Sequence, residues 1–298
     1  MTVSVLVPSS LAREAEDKRE ATRKIGYVAR AATIFRVDRL TVYADAAGER
    51  KYGDGFVETV LRYAATPPDL RKELWDKRDE LEYAGVLPPL RVRSQTGSGS
   101  DGSGSLRQGI VTKAGTDGRV RVNCGLQHPI SLPVPSGMEL HEGERVSVRV
   151  SSREPVRAKL VDHPLPGYDV DAADLGTAVS RPDTGLAIAA SRHGERLDTG
   201  RLDQLAEQCR RNSGDTTAGS ETAGEDGTAD THAYTVAFGA PERGLPEILG
   251  FDPGTLEDGH CETGGFDLWL NTVPNQGSEV IRTEEAVFAT LACLNLME

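Results

Sequence analysis

The first ninety residues alternate between short apolar runs and stretches with a helical period. Apolar side chains at intervals of three and four predict a long helix from about Leu11 to Arg36. Strands are predicted on either side of it, at Thr2–Val7 and Arg39–Ala44, and two further helices at Phe56–Ala65 and Leu70–Leu81. The order strand, helix, strand, helix is typical of the start of an α/β sheet.

Residues 106–163 change to a different pattern, in which short runs are rich in β-branched residues and separated by glycine turns. Five strands are predicted, at Gly109–Lys113, Arg119–Cys124, Ile130–Val134, Arg145–Val150 and Arg157–Val161. Five short strands in under sixty residues favour a small all-β barrel of the OB type.

The predicted barrel carries positive charge. It has nine Arg and Lys residues against six Asp and Glu, and those on its strands include Arg119, Arg121, Arg145, Arg149, Arg157 and Lys159. Spacings of two and four, as in Arg119 with Arg121 or Arg145 with Arg149, place side chains on one face of a strand. Such a face can bind single-stranded nucleic acid. The alternative is a solvated strand face without a ligand.

Residues 164–298 return to alternating strands and helices. The predicted elements are strands at Thr184–Ser191, Tyr234–Phe238 and Phe266–Leu270 and helices at Leu202–Arg211, Leu245–Leu249 and Glu284–Leu296. The simplest architecture is one α/β domain made of residues 1–93 and 164–298, interrupted by the barrel at residues 106–163.

Two low-complexity stretches interrupt these domains. Residues 94–105 (SQTGSGSDGSGS) have the composition of a flexible linker. Residues 212–230 hold five acidic side chains and no apolar residue larger than alanine. Because such a segment cannot bury enough surface to offset its ordering entropy, it is expected to be a flexible surface loop.

The composition limits the class of protein. No apolar run is long enough to cross a membrane, and the N-terminus is not a signal peptide, so a cytoplasmic protein is expected. The four cysteines show no zinc-binding spacing, so no metal site is expected. The net charge is −12, and 27 of the 34 basic residues are arginine, which favours a protein from a high-salt cytoplasm. The alternative is an ordinary acidic protein that does not bind nucleic acid.

Three loops are predicted to follow the carboxyl ends of parallel strands, where open α/β sheets bind their ligands. They are Ser191–Arg196, Phe238–Leu245 and Leu270–Glu285. Neither GxGxxG nor a P-loop is present. Thr283 is predicted as the N-cap of the last helix, and the acidic residues that follow it disfavour a phosphate there. These segments therefore suit a ligand held by backbone groups.

The motifs in these segments are similar to those of a known superfamily. Gly239-x4-Gly244-Leu245 precedes Asn271-Thr-x-Pro-Asn-Gln-Gly-Ser and Ile281-Arg-Thr-Glu-Glu-Ala286. This order resembles the SPOUT superfamily of RNA methyltransferases, and in particular its archaeal and eukaryotic subfamily of rRNA uridine-N3 methyltransferases with an inserted OB-like domain. Segments at Tyr83–Leu90 and Val122–Gly125 also fit. The Gly/Ser linker and the acidic loop depart from the pattern.

The resemblance implies a fold, a cofactor and an assembly. It implies a trefoil knot within residues 234–298, a bound S-adenosylmethionine, and a homodimer with the active site near the subunit interface. The expected cofactor-binding residues lie on the three segments: Ser191, Phe238, Gly239, Gly244, Leu245, Leu270, Asn271, Asn275, Gly277 and Thr283. A bulky side chain at Gly277 is expected to abolish cofactor binding.

Methylation of uridine N3 requires removal of a weakly acidic proton or stabilisation of the resulting anion. The candidate catalytic residues are Arg192, Glu195, Glu242, Arg243 and, entering from the partner subunit, Arg23. His193 and Arg196 lie beside them. Two alternatives remain open: a non-catalytic RNA-binding or ribosome-assembly factor that keeps the scaffold, and a methyltransferase for another base position such as N1 of pseudouridine.

Overall fold

A computed structural model describes most of the chain. The described residues are 2–46, 48, 51–68, 70–91, 105–115, 118–153, 155–163, 165, 167–212, 233–256 and 264–297. They form two compact units. The first unit comprises Met1–Ala65, Glu80–Leu90 and Tyr168–Glu298, and the second comprises Thr66–Asp79 and Arg91–Gly167. Apart from Ser105 and Asn212, the predicted linker and acidic loop lie outside the described residues.

The described residues contain eleven strands and seven α-helices. The strands are β1 (Val3–Pro8), β2 (Arg39–Tyr43), β3 (Ser105–Ala114), β4 (Arg119–Asn123), β5 (Ile130–Pro133), β6 (Arg145–Arg153), β7 (Val156–Val161), β8 (Asp169–Ala172), β9 (Leu186–Arg196), β10 (Tyr234–Ala237) and β11 (Leu268–Asn271). The helices are α1 (Lys18–Ile34), α2 (Phe56–Ala65), α3 (Arg71–Leu74), α4 (Leu175–Val179), α5 (Thr199–Asn212), α6 (Leu245–Leu249) and α7 (Thr283–Leu294).

The first unit is built on a six-stranded parallel sheet, which confirms the predicted α/β class. Its strand order is β11-β9-β10-β1-β2-β8. All six residues of β1 are buried, as expected for a strand covered on both faces. The chain passes from β9 to β10 on one side of β9 and returns to β11 on its other side. Ligands bind open α/β sheets where the strand order reverses in this way.

The prediction that Ser191–Arg196 is a loop was wrong, because β9 continues to Arg196. The partners of Trp269 and Leu270 on β9 are Ala189 and Glu195, so the intervening residues 190–194 form a bulge opposite β11. The polar residues after Ala190 resemble a loop in sequence. Their strand structure depends on pairing with residues eighty positions later, which local periodicity cannot reveal.

Two helix predictions were also wrong. The first helix begins at Lys18 because the Asp17 carboxylate accepts a hydrogen bond from the backbone nitrogen of Glu20 at 2.7 Å. Leu11 is buried in turns that precede this N-cap. The predicted helix at Leu70–Leu81 is only the four-residue α3, followed by a 3₁₀ turn at Asp79–Leu81. Sequence reasoning missed β8 and α4 entirely.

The second unit is a five-stranded antiparallel sheet with order β5-β4-β3-β6-β7. Its edge strands β5 and β7 approach each other, so the sheet nearly closes into a barrel. Along β4, the buried side chains of Val120 and Val122 alternate with the exposed ones of Arg119 and Arg121. The five strands predicted for this part of the chain are therefore confirmed, with small shifts at their ends.

Candidate active site

A cleft of about 250 Å³ lies in the first unit at the carboxyl ends of β9, β10 and β11. It is lined by the bulge of β9, the turn after β10 with the start of α6, Pro253, the end of β11 with the segment after it, and one face of α7. Its walls are partly apolar, with Phe238, Leu270, Val280 and Ile281, and its charged residues are Arg192, Glu242, Arg243, Glu247 and Glu279.

The turn after β10 is tight. Ala240 and Arg243 exchange two backbone hydrogen bonds, at 2.9 and 3.1 Å. Between them, Glu242 adopts a left-handed conformation with φ of 59°, which is uncommon for a residue with a side chain. Gly239 has no room for one, because a Cβ there would lie 2.8 Å from the Cα of Gly244. The turn can therefore close only with glycine at position 239.

Arg243 is held by two carboxylates. Its Nε atom lies 3.1 Å from both side-chain oxygens of buried Asp45, and its Nη1 atom donates to Glu247 at 2.7 Å. Burial alone lowers the pKa of Arg243, but the hydrogen bonds and charges of Asp45 and Glu247 outweigh burial and leave it raised. The charge of Arg243 is thus already balanced by side chains of this chain.

The bulge of β9 is fixed by Asn271. The Asn271 Nδ2 atom donates to the carbonyl of Arg192 at 3.0 Å, while its Oδ1 atom accepts from the backbone nitrogen of Val273 at 3.1 Å. On the bulge, Arg192 Nε donates to His193 Nε2 at 3.0 Å. Partial burial and the charge of Arg192 both lower the pKa of His193, so its imidazole is neutral at pH 7. Arg192 is exposed at this position.

One face of α7 forms another wall of the cleft. Thr283, Ala286 and Thr290 are spaced by three and four and all line it. The prediction of Thr283 as N-cap was wrong by one residue, because Arg282 is the N-cap. The Thr283 hydroxyl instead donates to the carbonyl of Gly239 at 2.9 Å. This bond ties α7 to the turn after β10.

Most predicted cofactor-binding residues line the cleft. Those that do are Ser191, Phe238, Gly239, Gly244, Leu270, Asn271 and Thr283. Leu245, Asn275 and Gly277 do not. Leu245 is fully buried in the core, and the Asn275 Oδ1 atom accepts from Arg196 at 2.9 Å. A Cβ at Gly277 would meet no atom within 4 Å, so this glycine is not required for a close approach.

One chain brings together three of the five candidate catalytic residues. Arg192, Glu242 and Arg243 line the cleft, whereas Glu195 and Arg23 do not. The Glu195 carboxylate accepts a hydrogen bond from Arg201 at 2.8 Å. Arg23 is exposed on α1. Within one chain, Arg192 is therefore the cleft cation whose charge is least engaged by carboxylates.

Sequence reasoning missed several residues of the cleft: Thr272, Glu279, Val280, Ile281, Ala286 and Thr290. Two signals could have indicated them. Val280 and Ile281 are an apolar pair in an otherwise polar loop. Ala286 and Thr290 fall on the same face of α7 as Thr283, at helical spacing.

The second unit carries the predicted basic residues largely on one face of its sheet. Lys113 is paired with Arg121, and Arg149 with Lys159, so each pair lies on a single face. Arg119, Arg157 and Lys159 are exposed, while Arg145 and Arg149 are half-buried. Arg119 donates to the side chain and the carbonyl of neighbouring Ser131. We call Lys113, Arg119, Arg121, Arg145, Arg149 and Lys159 the basic face.

The described part of the chain contains no group of His, Cys, Asp and Glu side chains that could hold a metal ion. Its cysteines Cys124, Cys209 and Cys293 form no disulfide with one another, and Cys261 lies outside the described residues. None of the described helices is long and apolar enough to cross a membrane.

Comparisons with known proteins agree with this geometry. Residues 2–294 match the model of a family described as "Putative RNA methyltransferase". An uncharacterized protein of Haloarcula marismortui is 68% identical and one of Halobacterium salinarum is 61% identical, each over the full length of both chains. The human 28S rRNA (uridine-N(3))-methyltransferase is 30% identical over 98% of this chain and 77% of its own length. The chain therefore belongs to this family of RNA methyltransferases and is an enzyme.

Proposed function

We propose that this enzyme transfers a methyl group from S-adenosylmethionine to N3 of a uridine in ribosomal RNA. The observation that carries the proposal is the cleft at the carboxyl ends of β9, β10 and β11, with its apolar walls and carboxylate rim. The name of the human relative supports the choice of ribosomal RNA and of uridine N3.

The residues of the cleft fit this cofactor better than a phosphorylated nucleotide. Leu270, Val280 and Ile281 offer apolar contacts for an adenine ring. The carboxylates of Glu242 and Glu279 repel polyphosphates but attract a cation. When bound, S-adenosylmethionine supplies a methyl group already activated by its positively charged sulfur.

The side chains on the bulge of β9 would act on the substrate base. The proton on uridine N3 is held about as tightly as that of a phenol, so the nitrogen is a poor nucleophile at neutral pH. Arg192 is exposed at the cleft and would stabilise the negative charge that develops on the base when this proton leaves. Arg243 is unsuited to this role because Asp45 and Glu247 already neutralise it.

The two-part architecture supports separate roles for cofactor and RNA. We assign methyl transfer to residues 1–93 and 164–298 and RNA binding to the OB-like insertion at residues 106–163. The basic face of the second unit would contact RNA phosphates, which supply most of the affinity in such complexes. Arg157 is a further candidate for such a contact.

The chain topology supports a trefoil knot in residues 234–298. Strand β11 runs beside β9 so closely that a Cβ on Gly194 would lie 2.5 Å from the backbone nitrogen of Leu270. Only glycine permits this approach. The support for the knot is the strand order, in which β11 lies on the side of β9 opposite β10.

A homodimer is supported by apolar side chains on the surface of the first unit. Tyr27 and Ile34 are 43% and 46% exposed on α1, and Leu296, just after α7, is 69% exposed. Arg23, Tyr27 and Ile34 lie on one stripe of α1, since they are spaced by four and seven. Burial of this stripe against a second copy would carry Arg23 to the subunit interface.

The acidic composition supports adaptation to high salt. The two most similar relatives named above come from Haloarcula and Halobacterium. At molar salt the Debye length is about 3 Å, so repulsion within a chain of charge −12 is largely screened.

Calorimetry with S-adenosylmethionine tests the proposed site. We expect saturable binding that is lost in Gly239→Ala, since a Cβ at this position would collide with backbone atoms of the turn. Gly277→Ala is the matched control and should bind normally, because its Cβ points into open space. Absence of binding by the native protein at every salt concentration would rule the proposal out and favour a scaffold that only binds RNA.

A further inference from the structure

Two side chains at the end of β2 hold the turn after β10 in place. The hydroxyl of Tyr43, which is fully buried, donates to the carbonyl of Phe238 at 2.6 Å. Two residues later, Asp45 is 1% exposed and faces Arg243. The beginning of the turn is thus bonded to the last residue of β2, and its end to Asp45, two residues beyond β2. Neither Tyr43 nor Asp45 lines the cleft.

The contacts of Asp45 leave its carboxylate little freedom. One oxygen accepts from the Ser10 hydroxyl at 2.6 Å, and both oxygens lie 3.1 Å from Arg243 Nε. The backbone nitrogen of Asp45 donates to the Ser9 hydroxyl at 3.1 Å. A buried carboxylate persists only when it is paired and hydrogen-bonded, so Asp45 and Arg243 fix each other.

The pairing of Asp45 with Arg243 also affects the backbone conformation of Glu242. Arg243 is the last residue of the turn, and its backbone is bonded to Ala240 in both directions. Of the two residues between them, Glu242 takes the left-handed conformation at φ of 59°, which glycine would adopt at less cost. A glutamate in its place presents a carboxylate, and this carboxylate lines the cleft.

We propose that Asp45 is a positioning residue of the cofactor site: acting through Arg243, it holds the turn that presents the Glu242 carboxylate to hydrogen-bond donors of the cofactor. The inference rests on the proposed function, since it takes S-adenosylmethionine as the ligand of the cleft. That cofactor carries hydroxyl and ammonium donors that a carboxylate can accept from. Asp45 itself touches neither cofactor nor RNA.

Steady-state kinetics with Asp45→Asn and Glu242→Gln test the proposal. Each variant should raise the KM for S-adenosylmethionine about tenfold, the expected effect of losing one hydrogen bond to a charged group. The kcat at saturating cofactor should stay within about twofold, because the substrate side of the cleft is unchanged. A purely structural role would instead lower the active fraction and reduce kcat at unchanged KM.

The double variant Asp45→Asn/Glu242→Gln distinguishes action through Glu242 from independent damage. If Asp45 acts through Glu242, the KM of the double variant should match that of Glu242→Gln alone. If Asp45→Asn does not fold, Arg243→Lys replaces it in this test. The lysine keeps the positive charge but has a single ammonium in place of the planar guanidinium. This variant should also raise the KM for S-adenosylmethionine.

Asp183→Asn is the matched control. Asp183 pairs with Arg39 at 2.7 Å at the other end of β2, so its loss should leave the KM unchanged. The proposal is overturned if folded Asp45→Asn or Arg243→Lys keeps the native KM, or if the two losses in the double variant multiply. Failure of the native enzyme to bind S-adenosylmethionine is a different result, which overturns the proposed function together with this inference.

Discussion

Gly194 on β9 and Leu270 on β11 are in closer contact than any residue with a side chain would allow. A Cβ on Gly194 would lie 2.5 Å from the backbone nitrogen of Leu270. This contact lies at the end of the bulge of β9, and the bulge carries Arg192 and His193 at the cleft. Strand pairing and the shape of the candidate active site therefore depend on one glycine.

We expect Gly194→Ala to destabilise the protein and distort the cleft. The added methyl group meets backbone rather than a movable side chain, so the cost should reach about 1–3 kcal/mol. Thermal unfolding measures it. Gly200→Ala is the control, since its Cβ would meet only Asp198 Oδ1 at 3.5 Å. Equal melting temperatures for the two variants would refute the role given to Gly194.

Arg192→Gln should slow methyl transfer strongly without weakening cofactor binding. Removal of a charge that stabilises a developing anion reduces kcat by roughly 10²–10³-fold in known enzymes. The measurement is single-turnover methylation at saturating cofactor, together with calorimetry. Arg196→Gln is the control, because Arg196 also lies on β9 but does not line the cleft and donates a hydrogen bond to Asn275 instead. Near-native turnover in Arg192→Gln would exclude Arg192 from catalysis.

Much of this fold, but less of its site, follows from the sequence. Strands β1, β2 and β10 and helices α2 and α6 are encoded by local periodicity and stop signals, so their prediction succeeded. The bulge of β9 and the shielding of Arg243 depend on contacts across 79 and 198 residues, to Asn271 on β11 and to Asp45. No local pattern carries such information. Sequence also does not tell which side of a motif faces the core, as Leu245 shows: its side chain is buried and does not line the cleft.

The basic face should contribute to RNA binding and not to cofactor binding. We expect Arg121→Gln and Lys159→Gln each to weaken RNA binding and to lower the slope of log affinity against log salt by about one. Calorimetric affinity for S-adenosylmethionine should not change. Lys72→Gln on α3, outside the five-stranded sheet, is the control. Unaltered RNA affinity in a double variant of the face would remove the second unit from the RNA-binding surface.

Glu284 should make stability depend on pH. Burial, and then the charge of Glu14, raises its pKa, despite the opposing effects of a backbone hydrogen bond and of Lys24. The folded state therefore holds this proton more tightly than the unfolded state, and stability declines as pH rises from about 4.5 through the raised value.

Glu284→Gln should remove this decline, because glutamine stays neutral. Its melting temperature should exceed that of the native protein at pH 7 and approach it near pH 4. Glu16→Gln, which changes an exposed carboxylate, controls for net charge. A lower melting temperature of Glu284→Gln at pH 7 would mean that the Glu284 charge is stabilising.

The target atom gives the most direct test of the account. Ribosomal RNA is isolated from a strain that lacks this gene, deproteinised, and incubated with the purified enzyme and isotopically labelled S-adenosylmethionine, and its nucleosides are analysed by mass spectrometry. We expect labelled 3-methyluridine with the native enzyme, and labelling slower by roughly 10²–10³-fold with Arg192→Gln. Label in another nucleoside, such as N1-methylpseudouridine, or no label with an enzyme that binds the cofactor, would contradict it.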